Sequence, residues 1–195
     1  MSRNGSASRK TAETDIQVEI ELDGSGEAQI ETGVAFFDHL LDSLARHGLF
    51  DLHVRAKGDL QVDQHHTVED VGIVLGGALR DALGDGRGMR RFGSARIPFA
   101  DALLSVDLDL SNRPYFVYEV ELQRDWVGGF DAALCEDFLY ALANHGGIDL
   151  HVRRLYGHNV HHIVEGIFKG LGRALDAATR IDDRIEGALS TKGSL

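Results

Sequence analysis

The sequence predicts an α+β protein made as two tandem, similar half-domains, each a small sheet with two helices on one face. Two recurrences and one pattern carry that expectation. The stretch "HGLFDLHVR" at 47–55 returns as "HGGIDLHVR" at 145–153. His65, His66 and Glu69 return as His161, His162 and Glu165, and "LGGAL" at 75–79 returns as "LGRAL" at 171–175. Such self-similarity at a spacing of roughly 95 residues marks a duplication. Within each copy the apolar pattern switches between the two-residue period of a strand and the 3.6-residue period of a helix.

The elements follow in order. Residues 1–12 read as a flexible segment ahead of the first half, 13–93. Ile16, Val18, Ile20 and Leu22 alternate as a half-buried strand does, and "DGSG" after them reads as a hairpin turn. Phe37, Leu40, Leu41 and Leu44 have helical spacing, with Gly48 as the stop. Leu52 and Val54 mark a second strand, and Val68, Val71, Val74, Leu75, Ala78 and Leu79 a second helix. The second half, 94–180, repeats the order with strands near 102–110 and 115–122, a helix near 131–144, a strand at 148–154 and a helix at 160–178. Residues 181–195 have no periodicity and read as a mobile arm.

Composition excludes several classes. A formal net charge of −11 argues against a nucleic-acid partner, because such proteins displace counterions with clustered Lys and Arg. No apolar run reaches the roughly 18 residues of a membrane span. "MSRNGSASRK" has no apolar stretch behind its basic residues, so a cytoplasmic location is expected. Cys135 stands alone, which excludes an intramolecular disulfide and a zinc–thiolate set.

The chemistry sits in "DQHHTVED", residues 63–70. On a helix His65 and Glu69 share a face at i and i+4, while His66 is turned about 100° away. Adjacent histidines of this kind serve two ions more readily than one. Imidazole plus carboxylate without thiolate suits a first-row divalent metal, and the duplication supplies a second set. The same residues would suit a dimetal phosphate-ester hydrolase, or a shell merely stapled by metal.

The motifs "FFDHLLDSLARHG", "DQHHTVEDVGIVLGGAL", "RRFG", "DLSNRPYF", "HNVHHIVEGIFKGLGRAL" and "STKG" resemble imidazoleglycerol-phosphate dehydratases, from about residue 13 onward. The resemblance implies dehydration of imidazoleglycerol phosphate to imidazole-acetol phosphate, in histidine biosynthesis. It further implies two Mn²⁺ ions per active site and a 24-subunit homo-oligomer with sites between subunits. The implied metal ligands are His39, His65, His66, Glu69, His161, His162 and Glu165. Asp137 joins them as the counterpart of His39 in the second copy. Glu13 corresponds to the general base, with His66 and Glu165 also expected in catalysis. His39, His47, His65 and Glu69 are expected against the substrate, and Arg91, Arg113, Lys169, Ser190 and Lys192 on its phosphate side. Asn112 stands where the family's usual motif has Gly, a change that a left-handed turn tolerates. Asp63 is expected near a helix start and Asp70 behind the ligands.

Overall fold

The computed structural model describes residues 3–122 and 126–191. The chain runs β1 (Asn4–Lys10), β2 (Thr14–Glu21), β3 (Ala28–Glu31), α1 (Ala35–Gly48), β4 (Asp51–Gly58) and α2 (His65–Leu83). It continues through β5 (Phe92–Phe99), β6 (Ala102–Asp109), β7 (Tyr115–Glu119), β8 (Trp126–Val127), β9 (Phe130–Asp131), α3 (Leu134–Gly146), β10 (Asp149–Tyr156) and α4 (Val160–Thr179). Two four-stranded sheets result, ordered β1-β2-β4-β3 and β5-β6-β10-β7. In each, the outer strand β3 or β7 runs parallel to its neighbour and the other pairs are antiparallel.

The expected alternation decides which face is covered. Ile16, Val18 and Ile20 of β2 point inward, as do Leu104, Val106 and Leu108 of β6. Helix α2 packs over β1 and β2, and α4 over β5 and β6, while α1 and α3 lie on β3 and β7. The two helical faces then meet, α1 on α4 and α2 on α3, so all four helices lie between the sheets. Phe37 meets Phe138 edge-on and Phe138 stacks on Phe168 at the centre, all three fully buried.

Three expectations need correction. Residues 4–10, expected to be flexible, form β1, an edge strand paired along all seven residues with β2. "DGSG" is no hairpin turn, because β4 lies between β2 and β3; Asp51 instead gathers the backbone N–H groups of Ser25, Gly26 and Glu27. The arm after 180 is docked as far as it is described, with Ile181 bridged to Met89 and Ala188 to Arg87. Strands β3 and β5 and the small β8–β9 hairpin had no expected counterpart.

Helix contact depends on missing side chains. A Cβ on Gly76 would lie 2.8 Å from Gly146 N and Leu142 O; one on Gly172 would lie 2.5 Å from Leu44 O and 2.8 Å from Gly48 N. These are equivalent contacts of the two copies. Gly76→Ala and Gly172→Ala should therefore each destabilise by about 1–3 kcal/mol through backbone overlap. Gly77→Ala, whose Cβ would meet only Ala7 at 3.5 Å, should stabilise by about 0.4–1 kcal/mol. Chemical unfolding of the three variants distinguishes close helix contact from a general dislike of alanine here.

Candidate metal centres at the helix N-termini

Helix α4 starts at Asn159, whose side chain accepts the N–H of His162, and α2 starts beside Asp63, which accepts the N–H of His65 at 2.9 Å. The expected i, i+4 geometry follows. His161 Nε2 lies 2.9 Å from Glu165 Oε2. His39, one turn into α1, brings its Nε2 to 3.2 Å from the same oxygen, because α1 packs directly along α4. The ligand atoms of His39, His161 and Glu165 all fall within 4.8 Å of one another. Two imidazoles and a carboxylate at that spacing fit a first-row divalent ion.

The other copy has a looser arrangement. His65 Nε2 lies 3.7 Å from Glu69 and its Nδ1 lies 3.4 Å from Asp137 of α3, so the two acids meet opposite edges of one ring. The tight group of the first half is Glu13, Asp59 and His66, whose ligand atoms fall within 4.8 Å of one another. The His39 and His65 clusters each take an i, i+4 pair from one half of the chain and a third member from the other half. His66 and His162 turn away from both of these clusters. His66 Nδ1 faces Asp59 at 3.1 and 3.2 Å, with Glu13 at 3.8 Å, and His162 Nδ1 faces Asp101 at 2.6 Å.

Glu165 is the most constrained carboxylate of the site. Burial alone would raise its pKa, but hydrogen bonds from Lys169, His39 and His161, together with the Lys169 charge, outweigh it and hold it at about 2. Lys169 Nζ sits 2.8 Å from Glu165 Oε1 and over the Phe99 ring. Lys169 is therefore placed with the histidine cluster, whereas the resemblance put it on the phosphate side. His47 is shifted down by burial and by the nearby charges of Lys169 and Arg173, which favours neutral imidazole. His66 is shifted up, chiefly by its hydrogen bond to Asp59.

The arginines lie elsewhere. Arg91, Arg113 and Ser190 line one cavity of about 900 Å³, with Asn112, Arg184 and Thr191. Arg113 is exposed, but Arg91 grips both oxygens of Asp109 and donates its third nitrogen to Leu189 O. Asn112 does take a left-handed φ of 55°. Lys192 lies outside the described residues. Asp70 is not behind the histidines: it is buried and holds Arg9 and the Thr14 hydroxyl, tying β1 and β2 to α2. Asp59 and Asp101 are site residues that the sequence reading passed over.

A duplicated α+β fold with His–carboxylate groups at the starts of α2 and α4 defines a protein whose site residues are of the kind that can hold divalent ions. Comparison with known proteins makes the class specific. Residues 32–175 match the family model described as imidazoleglycerol-phosphate dehydratase. Curated proteins of that name from Acetivibrio thermocellus and Citrifermentans bemidjiense are 57% and 55% identical over 195 residues, covering both chains completely. The solved structure of a Pyrococcus furiosus IGPD, in complex with (S)-C348, superposes with a TM-score of 0.84 at 41% identity, over 96% of this chain and 99% of that one. The Staphylococcus aureus imidazoleglycerol-phosphate dehydratase gives 0.83 at 32%, over 92% and 99%. The chain belongs to the imidazoleglycerol-phosphate dehydratase family.

The Glu165 environment gives a signed pH prediction. Its folded pKa lies below the unfolded carboxylate value of about 4.3, so its stabilisation is complete above that value and is lost as pH falls toward about 2. In chelator-stripped protein Glu165→Gln should be less stable than wild type at pH 6. The gap should close between about pH 4.3 and pH 2, and urea midpoints measured across that range read it directly.

Proposed function

We propose that this chain dehydrates imidazoleglycerol phosphate to imidazole-acetol phosphate through pairs of Mn²⁺ ions, in active sites assembled between copies of a cytoplasmic homo-oligomer, 24 subunits by the family resemblance. The observation that carries the composite site is a distance within one subunit. The backbone N–H of Arg91 bonds Ala178 O near the end of α4, whereas Glu165 lies near its start. At 1.5 Å per residue, thirteen positions of helix separate them by about 20 Å. The five bonds from ring carbon to phosphorus cover only about 6 Å. The ring and phosphate of a substrate with a three-carbon chain therefore cannot reach the histidine cluster and the Arg91 cavity of one subunit together.

His39, His161 and Glu165 would hold one ion, and His65 with Glu69 the other, Asp137 standing at the opposite ring nitrogen of His65, each leaving positions for a histidine such as His66 or His162 of another copy. A divalent ion there supplies a Lewis acid that draws electron density into a bound imidazole ring. The protein's own groups do the rest. Glu13, at the β1–β2 turn with its carboxylate more than half exposed, accepts the chain proton. The electron pair left behind forms a double bond to the ring-bearing carbon as its C–O bond breaks, the departing hydroxyl takes a proton from solvent to leave as water, and the resulting enol tautomerises to the ketone. Neutral His47 contacts the substrate beside Lys169. Arg113, Ser190 and Lys192 take the phosphate, with Arg91 shaping that cavity through its clamp on Asp109 and Leu189.

Chelator-stripped protein should form no ketone from imidazoleglycerol phosphate, and added Mn²⁺ should restore it without release of free phosphate. Free phosphate alone would replace this reading with a hydrolase. Glu13→Gln should lower kcat by about 10²–10⁴, the range of general base catalysis, with particle size and bound Mn²⁺ retained. Since ligands shared between copies link metal to assembly, light scattering of the stripped protein should show smaller particles than the loaded one. An unchanged size on chelation would remove the shared-ligand part of the proposal.

A further inference from the structure

The histidine that faces away from each cluster has a carboxylate at its back. His66 Nδ1 has both oxygens of Asp59, at 3.1 and 3.2 Å, and His162 Nδ1 has Asp101 Oδ1 at 2.6 Å. The two acids occupy different places in the repeat. Asp59 follows β4, where the second copy has Gly157 after β10. Asp101 lies in the β5–β6 turn, where the first copy has Glu13 in the β1–β2 turn. Asp101 is also firmly anchored. Its Oδ2 accepts the backbone N–H of His158 at 2.7 Å and of Asn159 at 3.0 Å, just before α4. Its neighbour Ala100 is held at a φ of 49°, a conformation costing about 1–2 kcal/mol for a residue with a Cβ.

From this arrangement we infer that Asp59 and Asp101 are positioning residues that take the Nδ1–H of His66 and His162 and so leave Nε2 of each as the metal-binding nitrogen. The inference rests on the metal reading above. A neutral imidazole carries one N–H, and a carboxylate accepting at one nitrogen fixes the tautomer and the ring orientation. The 2.6 Å contact of His162 is a direct hydrogen bond, shorter than the roughly 3 Å that separates two atoms bound at about 2.1 Å to one ion. The 3.1 and 3.2 Å contacts of His66 match that separation, and Glu13, Asp59 and His66 stand close enough to hold an ion themselves, so rescue by Asn at 59 is the readout that separates orientation from ligation there. The arrangement also accounts for Glu13. At 3.8 Å from His66 Nδ1 its carboxylate makes no hydrogen bond to the ring, because Asp59 already fills that role. The first copy's turn acid stands 3.8 Å off the ring of His66, and the second copy commits the equivalent acid to a hydrogen bond with His162.

The test is Mn²⁺ affinity, read from the electron paramagnetic resonance of free Mn²⁺, for wild type, Asp59→Ala, Asp59→Asn, Asp101→Ala and Glu13→Ala. Thermal unfolding of each stripped protein runs alongside. Loss of an orienting partner typically costs 10–100-fold, so Asp59→Ala and Asp101→Ala should weaken Mn²⁺ by about that factor, and Asp59→Asn and Glu13→Ala by less than about threefold. Asn at 59 rescues because its amide oxygen still accepts Nδ1–H. Wild-type affinity in Asp59→Ala would overturn the inference, as would equal weakening in Glu13→Ala or failure of Asn to rescue. If Asp101→Ala fails to fold, the Asp59 pair decides. A wild-type protein that binds no Mn²⁺ would overturn the metal reading itself, an outcome visible before any variant is compared.

Discussion

The site depends on how closely α1 approaches α4 and α2 approaches α3. At Gly172 the backbone of α4 meets the carbonyl of Leu44 and the amide of Gly48, and at Gly76 that of α2 meets Leu142 and Gly146. Contact at backbone distance fixes the sliding of one helix along the other, since any side chain there would force them apart. That register sets His39 opposite His161 and Glu165, and Asp137 opposite His65. A shift of one residue would move the third ligand by about 1.5 Å along the axis and 100° around it. The glycines are thus as much part of the site as the histidines.

The same packing creates an electrostatic problem that the acids answer. His39 of α1 meets Glu165 of α4, His65 of α2 meets Asp137 of α3, and Phe37 of α1 meets Phe138 of α3, all within the first two turns of their helices, so the helix N-terminal ends lie together. Helix N-termini carry partial positive charge and repel cations. Glu13, Asp59, Glu69, Asp101, Asp137 and Glu165 all gather there against the histidines. Their number exceeds what two ions need as ligands. The surplus offsets the helix ends and holds ring nitrogens in place, and it accounts for part of the chain's net negative charge.

Much of this was legible because the strongest signals are local. A histidine and a glutamate at i and i+4 need only a helix to converge, and alternation in 16–22 needs only a sheet with one covered face. What was missed depends on distant pairing. β1 reads as a polar leader because its inward positions are Gly5 and Ala7, chosen for nearness to Ala78 and Ala82 of α2 rather than for hydrophobic bulk. Its echo was nevertheless present: "RNGSAS" at 3–8 matches "RFGSAR" at 91–96, and "AETDIQVEIEL" at 12–22 matches "ADALLSVDLDL" at 100–110. The offset is 88 residues there, against 98 between His47 and His145, because the second copy carries the β8–β9 hairpin. A search at one fixed period passes over the strands, and with them the match of Asp101 to Glu13. The docking of 181–191 against 87–91 leaves no periodic trace at all.

The two copies diverge where geometry leaves freedom and agree where it does not. Gly76 and Gly172 are the same residue in both halves, each facing a backbone that cannot retreat, and Gly48 and Gly146 match as well, each against an apolar side chain, Phe50 or Ile148. The polar positions answer to a looser requirement, an oxygen or nitrogen within reach, and several chemistries meet it. His39 has become Asp137, Lys169 stands where the first copy has Ile73, and the acids at 13 and 101 hold different partners. The outcome is two clusters of unequal shape and charge. The His39 cluster has two imidazoles and a carboxylate already met by Lys169, whereas the Asp137 cluster has one imidazole and two carboxylates with no lysine at the equivalent place. The second therefore presents more negative charge and harder donor atoms to a cation than the first. Duplication supplied the frame twice, and substitution at the freer positions made its two ends chemically distinct.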